Sequence, residues 1–140
     1  MDYDLKSSIQ VNVVLGFDAI TSDTTTDGDI IDKESAAYSP FKSIVFTLVS
    51  GTITDGDYAL KLVHGDESDL SDGVDVPSTS LIGALPAYTD DADDDKSLSV
   101  GYIGKKRYVR ASIVSTNTTS GGLLGVIAIK GNPSVKPTGA

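Results

Sequence analysis

His64 is the only histidine of the 140-residue chain, so a Ser-His-Asp relay or an imidazole general base would have to run through it, with Asp66 as its acidic neighbour. No GxSxG elbow or comparable nucleophile context accompanies it, and it reads instead as a histidine satisfied at a strand end. Two acidic groups offer oxygen ligands of the kind hard cations take: Asp66, Glu67, Asp69, Asp72 and Asp75, and Asp90, Asp91, Asp93, Asp94 and Asp95. Neither follows the DxDxDG spacing with a twelfth-position glutamate, so both read as solvated, self-repelling loops. Paired carboxylates of the glycosidase type fit the composition, but sugar clefts usually add aromatic platforms, and the chain has no tryptophan. The segment GYIGKKR at 101–107 has two glycines and no helix start behind it, which makes it a strand-to-strand turn and neither a phosphate loop nor a dinucleotide fingerprint. Lys105, Lys106, Arg107 and Arg110, with Tyr102 and Tyr108 beside them, form the one basic cluster. It reads either as an ordinary solvated turn or as an electrostatic contact for an acidic protein surface. No catalytic constellation, metal site or cofactor motif emerges.

The elements that position these residues are strands. FKSIVFTLVS at 41–50 sets Ile44, Phe46 and Leu48 against Val45, Thr47 and Val49, apolar on both faces, the pattern of a central core strand. GTITDG follows with turn chemistry at Asp55-Gly56, then DYALKLVHG as a half-buried strand, so a hairpin is expected here. Leu81–Leu85 lies between Pro77 and Pro86 and reads as an edge strand or covering loop. KSLSVGYIG and KKRYVRASIVST read as two strands joined at Gly104-Lys105, and LLGVIAIKG, apolar on both faces, as a buried strand. QVNVVL and DIIDKES supply two more, with TSDTTTDGD as the polar connection between them. No window carries a capped helical stripe. The expectation is an all-β fold with little helix: an antiparallel β-sandwich or jelly-roll-like barrel of about seven or eight short strands over residues 10–133, preceded by an arm at 1–9 and followed by a flexible tail at 134–140.

Charge and composition narrow the function classes. The formal charge is −9, yet all twenty acids fall within residues 1–95, a balance of −16, and residues 96–140 carry seven bases and no acid, a balance of +7. Either the surface is dipolar, which steers docking, or acidic and basic strands neutralise one another locally. The acidic total disfavours nucleic acid and anionic membrane as partners. With no cysteine, thiolate catalysis, CxxC redox pairs and cysteine-bound metals are excluded. No apolar run reaches the ~20 residues of a bilayer span, and the start MDYDLKSSIQ lacks the features of a signal peptide, so a chain beginning near Met1 is expected.

Three segments carry a likeness that the chemistry does not. They are FKSIVFTLVSGTITDGDYALKLVHGDESD, LSVGYIGKKRYVRASIVST with its GYIGxKRYVR core, and TTSGGLLGVIAIKGNPSVKP; the opening DLKSSIQVNVVL adds to them. Over residues 41–133 the chain resembles a family of small structural proteins encoded in the head-gene region of tailed bacteriophages and prophages. The resemblance implies a capsid decoration or cement protein, made in the bacterial host cytoplasm and located on the virion. Its partner would be the outer face of the major capsid protein lattice, and it would form a homo-oligomer, a trimer in many such proteins. None of the segments is a catalytic signature. Under that reading two contact elements are expected: the N-terminal arm, with Asp2, Tyr3, Asp4, Leu5 and Lys6, and the basic cluster of Lys105, Lys106, Arg107 and Arg110. The alternatives are a tail, connector or fibre-associated virion protein, and a carbohydrate-binding module or depolymerising enzyme.

Overall fold

The computed structural model describes residues 9–34, 41–89 and 93–133. Among the described residues its ten strands are β1 (Ile9–Ile20), β2 (Thr25–Asp32), β3 (Phe41–Ile53), β4 (Asp57–Gly65), β5 (Val74–Asp75), β6 (Leu81–Ile82), β7 (Ala87–Tyr88), β8 (Ser97–Tyr102), β9 (Tyr108–Thr116) and β10 (Gly122–Pro133), with a 3-10 turn at Ser78–Ser80. They form two antiparallel sheets, one ordered β1-β10-β3-β8-β6, the other β2-β9-β4-β5 with β7 also paired to β4. The fold is therefore the expected all-β sandwich. The eight strands read from the sequence are all present, and β5 and β7 are two-residue additions along β4, too short to leave a periodic signal.

Connectivity departs from expectation. The turn after β3 was expected to close a hairpin, but β3 lies in the first sheet and β4 in the second, and the same crossing separates β8 from β9. Successive strands alternate between sheets throughout, except from β4 to β5. Turn residues such as Asp55-Gly56, with Gly56 at φ +98, reverse the chain just as well across the gap between layers as within one, which is why composition alone suggests a hairpin. β2 also begins earlier than expected. The polar stretch TTDG is strand because it forms a sheet edge, where Thr25 and Asp27 face water. Gly28 sits in a bulge there: a Cβ on it would lie 2.6 Å from Val14 Cγ1 and 2.8 Å from the Ala111 carbonyl oxygen.

The core lies between the two sheets. Ile44, Phe46 and Leu48 of β3, Val100 of β8, and Leu124, Val126 and Ala128 of β10 meet Leu60 and Leu62 of β4 and Val109, Ala111 and Ile113 of β9. Three tyrosines are fully buried and each has its hydroxyl bonded: Tyr58 donates to the Asp55 carbonyl at 2.8 Å, Tyr88 donates to the Leu48 carbonyl at 2.7 Å, and Tyr102 lies 2.8 Å from His64 Nδ1. Their rings fill the space between layers while the polar tips avoid the cost of an unpaired buried hydroxyl.

Candidate functional site

His64 is paired with a tyrosine. It is buried near the end of β4, 2.8 Å from the Tyr102 hydroxyl, its ring edge-on to that of Tyr102 at 5.6 Å. Burial pulls its pKa down, with Lys106 and Lys33 adding to the effect against the opposing pull of Asp66. Its hydrogen-bonded partner is thus a phenol, not a carboxylate. The Tyr102 hydroxyl is pushed up to about 12, chiefly by burial, so the pair is neutral at ordinary pH.

The acidic loops brace the fold through their carboxylates. Asp55 accepts hydrogen bonds from the backbone amides of Thr119, Ser120 and Gly121 at 2.9–3.0 Å, and Asp94 accepts from the Ile53 amide at 2.7 Å. In the loop after β4, Asp72 accepts from the amides of Asp66 and Glu67, and Asp69 from that of Ser71. Backbone amides hold Asp55, Asp69 and Asp72 below the ordinary carboxylate range. Among the described residues no three acidic, histidine or cysteine side chains converge as a metal site. Asp90 and Asp91 of the second acidic group lie outside the described residues.

The basic cluster is divided and largely paired. Lys105, Lys106 and Arg107 occupy the turn between β8 and β9, whereas Arg110 lies within β9. Arg107 grips Asp32 through Nε and Nη2 at 2.9 and 3.0 Å and reaches Glu34 at 3.5 Å. Lys106 pairs with Asp66 at 2.9 Å, and Arg110 approaches Asp27 at 4.0 Å. Local neutralisation therefore accounts for much of the charge polarity in the sequence. Lys105 keeps its charge free of ion pairs among the described residues, as does Lys42 across the same hollow of about 350 Å³, which Lys33 and Glu34 also line. Lys33 and Lys42 are too distant in sequence to have been grouped with the cluster. At the opposite end of the sandwich, Asp23, Asp55, Asp57, Asp93, Asp94 and Asp95 gather around the inter-strand loops, with Lys96 bound to Asp93. The arm residues Asp2, Tyr3, Asp4, Leu5 and Lys6 lie outside the described residues.

The most distinctive surface is one that the sequence reading assigned to the core. Residues opposite one another across a ladder share a face, and the register of the first sheet builds three outward rows: Val11, Ile129, Val45, Gly101 and Ile82; Val13, Ile127, Thr47 and Ser99; and Gly125, Val49 and Ser97. None of these residues is charged. Val13 is 63% exposed, Val11 57% and Phe17 55%. The Phe17 ring lies across Gly51 and Gly125, where a Cβ would meet it at 2.6 and 3.2 Å, so these glycines form a shelf for it. The outer face of the second sheet is the opposite in character: Lys61 pairs with Asp75, the Ser112 hydroxyl donates to Asp27, and Arg110 stands beside them. The signal that could have found the apolar face is the two-sided apolarity of β3 and β10. A two-layer sandwich buries only one side of each sheet, so strands apolar on both sides keep one apolar side that no strand of the described residues covers.

Comparison of the chain with known protein families, with curated proteins and with solved structures finds no match.

Proposed function

We propose that this chain is a structural component of a tailed-bacteriophage virion, a capsid decoration protein that binds the outer surface of the major capsid protein lattice and stabilises the head. The resemblance of residues 41–133 to head-region structural proteins supplies the setting. The observation that carries the reading on the physical side is the uncharged outer face of the first sheet, since an apolar sheet face left open marks a surface for protein assembly, between copies of a decoration oligomer or against the lattice. The braced loops suit such a role: a rigid module loses little conformational freedom on docking. Lys105 and Lys42, which form no ion pair among the described residues, give the basic hollow an attraction for an acidic lattice surface.

Cosedimentation of the purified protein with tailless capsids from a strain lacking its gene tests the reading. Hundreds of copies per particle are expected, with binding weakened by salt and by Lys42→Ser combined with Lys105→Ser, a pair that breaks no ion pair of the described structure. A handful of copies, found only on tailed particles, would move the protein to the tail or connector. No binding to either particle would sink the virion reading.

A further inference from the structure

We propose that the outer face of the β1-β10-β3-β8 sheet is the contact between two copies of this chain, packed sheet against sheet about a two-fold axis. This rests on reading the chain as an assembly module, but it does not require that the assembly be a capsid. An antiparallel sheet with one solvated face alternates apolar and polar residues. Here β3 and β10 are apolar on both sides, and Val13, Val45 and Phe17 stand exposed on the side away from the core. The absent layer has to be protein of low charge, because a charged side chain buried against these rows would have no partner.

Three features of the chain select a second copy as that layer. The first is charge. At −9 net, two copies repel over most approaches, and the outer rows of this sheet are where charge is absent. Stacking them leaves the acidic loops around Asp55 and Asp94 at the rim, in water. The outer face of the other sheet cannot serve equally, since its Lys61–Asp75 pair would have to be desolvated. The second is size. Four strands spaced about 4.8 Å apart and about nine residues long give a footprint on the order of 600 Å², close to the roughly 800 Å² per partner of a standard interface. The third is the surface itself. A two-fold contact needs a self-complementary surface, and this one has an apolar groove of about 180 Å³ lined by the exposed Phe17 ring together with Val13, Val49 and Ile127. Each copy thus offers an uncharged apolar recess on the same face, which an identical face can cover without desolvating a charge.

Analytical ultracentrifugation of the full chain between about 1 and 200 μM tests the contact. The expected result is a monomer–dimer equilibrium that tightens from low to moderate salt, because salt screens the repulsion of like-charged copies and leaves apolar burial intact. Val13→Lys with Val45→Lys should weaken the dimer at least a hundredfold, since each charge enters a two-fold interface twice. Both positions are exposed, so an unchanged far-UV spectrum and a cooperative melt would show that the variant folds. The absence of cysteine allows a further check. Thr47→Cys places a thiol in mid-face that a short bis-maleimide should join between copies, whereas pairing edge to edge through β1 would hold the two thiols about 24 Å apart. A chain monomeric to 200 μM overturns the proposal, as does a dimer indifferent to the two lysines, a trimer, or a Thr47→Cys dimer that does not cross-link. A monomer whose capsid binding is lost in the lysine variant would give the face to the capsid instead. A lysine-sensitive dimer that ignores capsids would keep this contact and remove the decoration reading.

Discussion

A buried histidine and a set of amide-bound aspartates should make this protein's stability respond to pH in two stages. Burial lowers the folded-state pKa of His64, so below the unfolded value near 6.5 the unfolded chain binds a proton that the folded chain refuses, and stability falls as pH drops from about 7 through that window. The aspartates act lower. Backbone amides depress Asp55 and Asp72, and the Arg107 side chain depresses Asp32 against the opposing cost of burial. Their contribution is present above the unfolded carboxylate value near 3.9 and is lost as pH falls through the folded values. Melting temperature followed from pH 8 to pH 2 should therefore decline in two steps. His64→Gln should abolish the upper step, whatever it does to the absolute melting temperature. Asp55→Ala should lower the melting temperature by several degrees at pH 7, and by progressively less as pH falls through the lowered folded value of that carboxyl. A single decline confined below pH 4 would show that His64 is not held neutral.

At the scale of elements, strand identity was legible and strand partnership was not. Alternation in FKSIVFTLVS, DYALKLVHG and KKRYVRASIVST marks β3, β4 and β9 because period-two burial is a local property. Which sheet receives each strand depends on contacts made far along the chain, so the expected β3–β4 hairpin became a crossing between layers. The same limit governs the site. Arg107 and Asp32 are 75 residues apart in sequence yet form a bidentate pair, so a cluster that reads as basic is largely neutralised in space. The apolar face was visible as letters and read as core, because periodicity reports apolarity without saying what covers it. Close packing between elements also makes a contrast between two glycines. Gly28→Ala would drive a methyl against Val14 and the Ala111 carbonyl and should cost about 1–3 kcal/mol. Gly16→Ala meets nothing within 4 Å and should leave stability nearly unchanged. Chemical denaturation of the two variants measures the difference.

At the scale of the whole molecule, order in sequence and order in space are interleaved. β10, at residues 122–133, lies between β1 and β3 and pairs with both along most of its length. β9 stands likewise between β2 and β4. Each sheet thus has an early strand on either side of a late one. A ribosome extending this chain releases the flanks long before the strands that join them, and the nascent segment has no complete sheet to adopt. Folding should wait until residues beyond 122 have cleared the exit tunnel, then proceed at the slow rate of topologies built on distant pairings. Chains stalled with residue 121 as the last one exposed should remain protease-sensitive, and those stalled after the strand has emerged should become resistant in a single step. Gradual resistance gained from residue 65 onward would mean that the early strands find partners of their own. Until that point the apolar rows of β3 lack the neighbour that β10 supplies, so the interval before β10 arrives is when an unpaired, aggregation-prone strand is most exposed.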